Sequence, residues 1–263
     1  DDIAFIYNPG SISNVSDFLQ FVSDVNNGVA RPYYILDADI DLTNSTSFTP
    51  IGTSQNQFNG TFDGSGHKIS NVKISSTVLD NLTGKKYAGL FGKIGSVAVI
   101  KNLTLENISI ESGATHAGAI AAYSEGTIQN CVVTTTSLNK DIDNVQSTYI
   151  AGGIAGLNIG LIENCKVINQ TIGMHSNAGN TSYAGGIAGI NGIENSSHAT
   201  IQNCNVSTSF VKDYKSATAW DNSRWDYSSI GVQKENYLGG IAGVNYYLIS
   251  HNYTYNTDIE SNI

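Results

Sequence analysis

Three carboxylates on one strand and a group of aromatic rings on one loop are the residues of this chain best placed to do chemistry. In Tyr33-Tyr-Ile-Leu-Asp-Ala-Asp-Ile-Asp-Leu42, Asp37, Asp39 and Asp41 alternate with Ala38, Ile40 and Leu42. Strand geometry places the carboxylates on one face and the apolar residues on the other. Such a row of hard oxygens is a candidate for Ca²⁺, but no glycine-bearing calcium loop accompanies it. A solvated outer face is therefore the expectation, and no metal or other cofactor is assigned. Residues 211–236 hold both tryptophans, Trp220 and Trp225, with Tyr214 and Tyr227; Asp213, Asp221, Arg224 and Asp226 lie among them. Flat rings flanked by carboxylates and a guanidinium suit a sugar, whose apolar face stacks while its hydroxyls pair. The competing reading is that the rings anchor a long loop.

Catalysis finds little support. A glycosidase needs two carboxylates across a cleft, and Asp221 and Asp226 are paired only by nearness in sequence. A lyase needs a basic residue, and bases are sparse here. The five histidines, His67, His116, His175, His198 and His251, lack metal or triad spacing. His67 beside Asp63 reads as a turn residue. No catalytic residue is assigned, and the expectation is a protein that is not an enzyme.

What must position these residues is a repeat. Ala151-Gly-Gly-Ile-Ala-Gly156 recurs as Ala184-Gly-Gly-Ile-Ala-Gly189 and Leu238-Gly-Gly-Ile-Ala-Gly243, with looser copies at Ala88–Gly92 and Ala117–Ala121. Four copies are followed by Ile-x-Asn-Cys or a relative: Ile100–Leu103, Ile128–Cys131, Ile162–Cys165 and Ile201–Cys204. Ser250-His-Asn-Tyr253 is the degenerate fifth. Two signatures in fixed order indicate a stacked repeat protein. In Ile162-Glu-Asn-Cys-Lys-Val167, strict alternation points Ile162 away from Cys165 and Val167. A left-handed Asn164 resets the phase and turns all three inward, and Asn tolerates that conformation. Asn102, Asn130 and Asn203 are expected to do the same, and their side chains to form a hydrogen-bonded ladder at the ~4.8 Å strand spacing. The three cysteines, all in one slot, read as buried apolar side chains. Ile154, Ile187, Ile241, Phe91 and Ile120 are expected to point inward, leaving a flat outer side of small residues.

Composition narrows the partners. The net charge of −9, with only 13 Lys plus Arg, excludes a basic footprint for nucleic acid or an anionic membrane. Charged residues are 13% of the chain, about half the usual share, replaced by Asn, Ser, Thr and Gly. That polarity suits an extracellular or cell-surface β-structure. No apolar run is long enough to insert this segment in a membrane.

Val15, Phe18, Leu19, Val22 and Val25 recur at helical spacing behind Ser13 or Asn14 as N-cap, and Gly28 ends the helix. This helix, 13–28, is expected to cap the open end of the strand stack. Residues 33–75 form a first strand set, with a tight turn at Asp63-Gly-Ser-Gly66. The order of helix, Tyr34 to Leu42 with its Asp-Ile-Asp-Leu, Thr49-Pro-Ile-Gly52, Phe58-x-Gly-Thr-Phe-Asp-Gly-x-Gly-His67 and then Gly-Gly-Ile-Ala-Gly repeats resembles the GLUG-repeat proteins of bacteria. These include adhesin-like surface proteins and the N-terminal, non-catalytic regions of IgA1-protease-type proteins. The resemblance implies a right-handed parallel β-helix, with five repeats over 87–259, the loop 211–236 inserted among them, and 1–263 as one domain. It implies a host-surface glycan or protein as partner, engaged through loops, and further repeats after Ile263. A passive scaffold in a large surface protease and a carbohydrate-active enzyme are the alternatives.

Overall fold

Strands of two to four residues are stable only as rungs among others, and every described strand here is that short. The computed structural model describes residues 9–45, 49–110, 113–136, 145–147, 149–174, 181–194, 199–207, 209–213, 236–246, 248–255 and 257–260. They are almost all β, with one short helix, and the strands fall into five sheets. The chain visits the five sheets in the same order, turn after turn. Each strand pairs in parallel with its counterpart in the next turn. Thus Val99–Lys101, Thr127–Gln129, Leu161–Glu163 and Thr200–Gln202 lie side by side in the first sheet. Thr104–Glu106, Val132–Thr134, Lys166–Ile168 and Asn205–Ser207 do so in the second. Ser109–Ile110, Val145–Ser147, Thr171–Met174 and Phe210–Asp213 belong to the third. His116–Gly118, Ile150–Gly152 and Ser182–Gly185 belong to the fourth, and Ala121–Ser124, Ala155–Asn158 and Ala188–Asn191 to the fifth. The arrangement is β-helix-like.

The corner between the first and second sheets is the Asn position. Asn102, Asn130, Asn164 and Asn203 all have φ between 53° and 55°, in the left-handed region. The phase reset follows: Ile162, Cys165 and Val167 are all fully buried. The backbone N–H of each Asn donates to the next turn, as Asn130 N does to Glu163 O at 3.1 Å. A second corner, between the second and third sheets, uses the same device at Asn71, Asn107 and Asn169. The last turn departs from the expected alignment by one residue. Gln202 pairs with Ser250, which puts His251 (φ 52°) in the Asn position and Asn252 in the Cys position. Asn252 makes the Cys contacts in stronger form. Its Nδ2 donates to Ile201 O and Ser250 O, where Cys204 Sγ donates to Ile162 O and Gln202 O. Cys131, Cys165 and Cys204 are free and buried.

The helix spans Val15–Asn26, with Asn14 accepting from Asp17 N as its N-cap. Its buried face is Phe18, Phe21, Val22 and Val25. Leu19, expected inside, is 39% exposed, and Phe21 takes the central place. The Phe21 ring lies 4.3 to 6.3 Å from those of Tyr34, Phe58, Phe62 and Phe91, plugging the first turn of the stack.

For the glycine segment one expectation is refined and one corrected. Phe91 is buried in the core as expected, but register sets it level with Ala121, so Leu90 fills the column of Ile120, Ile154 and Ile187. The small residues do not make a flat outer side. A Cβ on Gly152 would stand 1.8 Å from Ala155 O, and one on Gly118 would stand 2.5 Å from Gly156 N. These glycines are buried where the fourth and fifth sheets fold against each other, backbone on backbone. The loop expected over 211–236 begins and ends in strands, Phe210–Asp213 and Asn236–Gly239. Between the repeat signatures, Val78–Leu79 pairs antiparallel with Lys86–Ala88, and Val145–Ser147 is a rung of the third sheet.

Candidate functional site

The carboxylate row does not converge. Asp37 accepts from Ser11 Oγ; Asp39 accepts from Lys68 N and faces His67 Nδ1, both at 3.1 Å; Asp41 accepts from Thr43 and from Asn71 Nδ2. Each acid serves a different neighbour, so the Ca²⁺ candidate at Asp37, Asp39 and Asp41 has no shared cage. Hydrogen bonds from the Thr43 and Asn71 side chains lead the causes that hold the Asp41 carboxyl down at about 2. Among the described residues no group of three metal-ligating side chains occurs. His67 is not paired with Asp63. That carboxylate accepts from Tyr33 Oη, Ser65 N and Asn102 Nδ2, and it meets Lys101 Nζ at 3.1 Å. Burial alone would raise Asp63, but these donors together hold it below the usual range. It starts a polar ladder that runs through Asn102 to Asn130. Among the described residues no side-chain bond carries it on to Asn164 or Asn203, so the expected ladder is realised only in part.

The aromatic loop residues Trp220, Asp221, Arg224, Trp225, Asp226 and Tyr227 lie outside the described residues. The strands flanking that segment do fix where it leaves the stack. Phe210–Asp213 ends in the third sheet and Asn236–Gly239 begins in the fourth. Residues 111–115 join the same two sheets between Ile110 and His116. The two segments therefore connect the same pair of sheets in different turns.

Two further features escaped the sequence reading. The first is a buried ladder of amides on the fifth sheet: Asn158 Nδ2 donates to Asn191 Oδ1 at 2.8 Å, and Asn191 Nδ2 to Asn245 Oδ1 at 2.7 Å. Asn158 and Asn191 are fully buried. The signal was present as an Asn two residues beyond each complete Gly-Gly-Ile-Ala-Gly segment.

The second is a run of rings on the outer corner between the fourth and fifth sheets. Ala88, Ala117 and Ala184 point into the core, so their neighbours Tyr87, His116 and Tyr183 point outward. Centroid separations of 5.9, 5.2, 6.0 and 5.9 Å link Tyr123, Tyr87, His116, Tyr149 and Tyr183 in that order. Lys93 Nζ lies 4.7 Å from the centre of the Tyr123 ring. Tyr87 and His116 are buried, while Tyr123, Tyr149 and Tyr183 are half-buried. Burial, with Glu125 alongside, pushes the Tyr123 phenol up.

His116 is the polar centre of this run. Thr115 Oγ1 accepts from Lys86 N at 2.8 Å and donates to Lys86 O at 3.0 Å. His116 Nδ1 lies 2.9 Å from Thr115 Oγ1, and the two share a hydrogen bond. Nε2, the other ring nitrogen, is buried without a hydrogen-bond partner. Burial first, then the nearby Lys85 charge, drives the imidazole down to about 3, so it is neutral at pH 7.

No family model matches the chain. Halomucin of Haloquadratum walsbyi is 34% identical over 140 residues, which is 49% of this chain. A protein of Evansella cellulosilytica, provisionally described as a Gly-rich membrane protein, is 32% identical over 120 residues, or 43% of this chain. The matches span 1% of halomucin and 13% of the Evansella protein. A crystal structure from Bacteroides ovatus, provisionally described as an immunoglobulin A1 protease, superposes with a TM-score of 0.56. That superposition covers 95% of this chain and 75% of the other at 21% identity, a likeness of fold. Among the described residues no helix is long and apolar enough to cross a membrane.

Proposed function

We propose that this chain is a non-enzymatic, extracellular scaffold module of a large, adhesin-like surface protein, wound as one right-handed β-solenoid of GLUG-like repeats. Handedness follows from the strong right-handed preference of parallel crossover connections. One observation carries the reading. The polar residues repeated from turn to turn, Asn102, Asn130, Asn158, Asn191 and the cysteines, are engaged with one another or with backbone. The repeat thus maintains itself, and ligand chemistry falls to segments that differ between turns. The segment that differs most is 211–236, and we assign to Trp220, Trp225 and Tyr227, with Asp221, Arg224 and Asp226, contact with a host glycan or protein. The similarity to halomucin and to a Gly-rich membrane protein supports placement at a cell surface.

A panel of polysaccharides and cell-surface proteins tests this directly. Saturable binding that is absent in Trp220→Ala/Trp225→Ala, with no product released from any polysaccharide, is the expected outcome. Product release abolished by Asp221→Asn would make the chain an enzyme instead. The likeness to the Bacteroides ovatus structure favours a second reading, a spacer within a larger surface protease. No binding to any member of the panel by folded protein would select it.

A further inference from the structure

Three Asn-Gly pairs occur in the chain: Asn27-Gly28, Asn59-Gly60 and Asn191-Gly192. They share one latent reaction. The glycine amide nitrogen can attack the side-chain carbonyl carbon of the Asn before it, and glycine has no Cβ to obstruct the approach. The attacking nitrogen must first lose its proton. An N–H held in a hydrogen bond or shut away from water is therefore protected.

The fold treats the three pairs differently. Gly192 N donates to Asn158 O at 2.7 Å, and Asn191 is fully buried with its Nδ2 donating to Asn245 Oδ1 and Leu248 O. That pair is sealed within the amide ladder. Gly28 N donates to Val25 O at 3.0 Å where the helix ends, and Asn27 Nδ2 donates to Ser23 Oγ at 3.1 Å. Asn59-Gly60 lacks both protections. Asn59 is exposed, and its side chain is held by one bond, from Nδ2 to Gln57 O at 3.2 Å. Gly60 N donates no hydrogen bond among the described residues. The backbone on either side is anchored. Phe58 N donates to Lys93 O at 3.2 Å, Gly95 N to Phe58 O at 2.9 Å, and Thr61 N to Pro32 O at 2.9 Å.

We propose that Asn59 is a site of spontaneous covalent modification, a deamidation that the fold favours at this one of the three pairs. A solvent base removes the Gly60 N–H proton, and the nitrogen bonds to Asn59 Cγ. The Cγ–Nδ2 bond breaks, and Nδ2 leaves as ammonia. Water then opens the five-membered succinimide. Addition at Cγ gives aspartate, and addition at the backbone carbonyl carbon gives isoaspartate. The net change is amide plus water to carboxylate plus ammonium, with no oxidant or reductant. Either product adds a negative charge. Isoaspartate also routes the main chain through Cβ, which lengthens it by one methylene between the anchored Phe58 and Thr61. Phe58 is fully buried, its ring 5.8 Å from that of Phe21 and 5.3 Å from that of Phe91, so the extra atom strains the plug at the stack entrance. The site lies outside 211–236 and stands whether or not that segment binds a ligand.

The test is incubation of the whole folded chain in mildly alkaline buffer, then digestion at acid pH and mass spectrometry, with isoaspartate identified by enzymatic methylation. A second sample is held in urea, where all three pairs are free. In the folded chain Asn59 is expected to convert first, Asn27 about fivefold more slowly for the one N–H bond it must break, and Asn191 not at all. In urea the three rates are expected to converge. Amide hydrogen exchange begins with the same loss of a proton, so Gly60 is expected to exchange before Gly28, and Gly28 before Gly192. The purified isoaspartate form is expected to unfold at a lower temperature than Asn59→Asp, which keeps the main-chain length. Conversion at Asn59 no faster than at Asn27 in the folded chain, or a Gly60 N–H as slow to exchange as that of Gly192, would overturn the proposal. Equal midpoints for the isoaspartate form and Asn59→Asp would overturn the link to the plug.

Discussion

Replacing Asn191 by Asp changes one atom pair in the buried amide ladder and inverts what that position can do. Asn191 accepts from Asn158 and donates through Nδ2 to Asn245 Oδ1 at 2.7 Å and to Leu248 O at 3.3 Å. An aspartate keeps the first bond and loses both donors, so a carboxylate faces two acceptors. Burial of this kind raises a carboxyl by about 3–5 units. The folded-state pKa then lies above the unfolded value of about 3.9, so the penalty is absent at low pH and grows as pH rises past 3.9. At pH 7 it reaches about 1.36 × 3.1, or ~4 kcal/mol, at 1.36 kcal/mol per unit. Near pH 4 the protonated Asp donates to Asn245, and the cost shrinks to the one bond lost to Leu248, ~1 kcal/mol. Urea unfolding followed by circular dichroism at pH 4, 5.5 and 7, always against wild type at the same pH, measures the difference. A destabilisation that does not vary with pH, or one below about 1 kcal/mol at pH 7, would refute a buried, hydrogen-bonded ladder at this position.

Three other substitutions or conditions probe the remaining devices. The His116 imidazole is held down at about 3 by burial, against an unfolded value near 6.5. The unfolded chain therefore takes up the proton first, and stability present above pH 6.5 is lost as pH falls toward 3, by up to roughly 5 kcal/mol. This acid limb should vanish in His116→Phe, and unfolding curves from pH 7 to 3.5 would reveal it. Asn164→Ala should cost about 1–2 kcal/mol for its φ of 54°, while Asn164→Gly should cost less, and paired thermal midpoints separate the two. Ser124 sits level with Asn158, and its buried hydroxyl has no partner. Ser124→Asn should extend the ladder by one amide and raise stability by ~1 kcal/mol in urea; a lower midpoint would show that the site has no room for it.

How legible this was in the sequence depended on whether the signal was local. The left-handed Asn corner followed from a three-residue phase conflict within Ile-x-Asn-Cys, and Asn102, Asn130, Asn164 and Asn203 all adopt it. The helix followed from spacing alone, although Phe21 displaced Leu19 because the rings at the stack entrance needed a central plug. Asn158 and Asn191 were missed because a polar residue reads as outward, and only pairing between turns makes it an inward one. The last repeat was misaligned because His251 holds the left-handed position in place of Asn, so the visible Asn252 drew the register one residue along. The ring run was not legible at all. Tyr87, His116, Tyr149 and Tyr183 share no motif, and only the stacking of turns brings them together. The glycines suggested a surface because small residues leave little bulk, whereas their function is close backbone contact inside a seam.

The central claim is that architecture and recognition are separable, with the repeat holding the shape and the inserted segment 211–236 making contact. Register supplies a direct test. Val211 stands in the column of Ile172, Val145 and Ile110, and Tyr237 in that of Tyr183, Ile150 and His116. Residues 212–236 can therefore be replaced by the native connection 111–115, and the thermal midpoint and glycan-array profile measured side by side with the unmodified chain. An unchanged midpoint and loss of every signal that depends on Trp220 and Trp225 are expected. A collapsed midpoint would make the segment part of the fold, and a full set of tryptophan-dependent signals from the shortened chain would contradict the account outright.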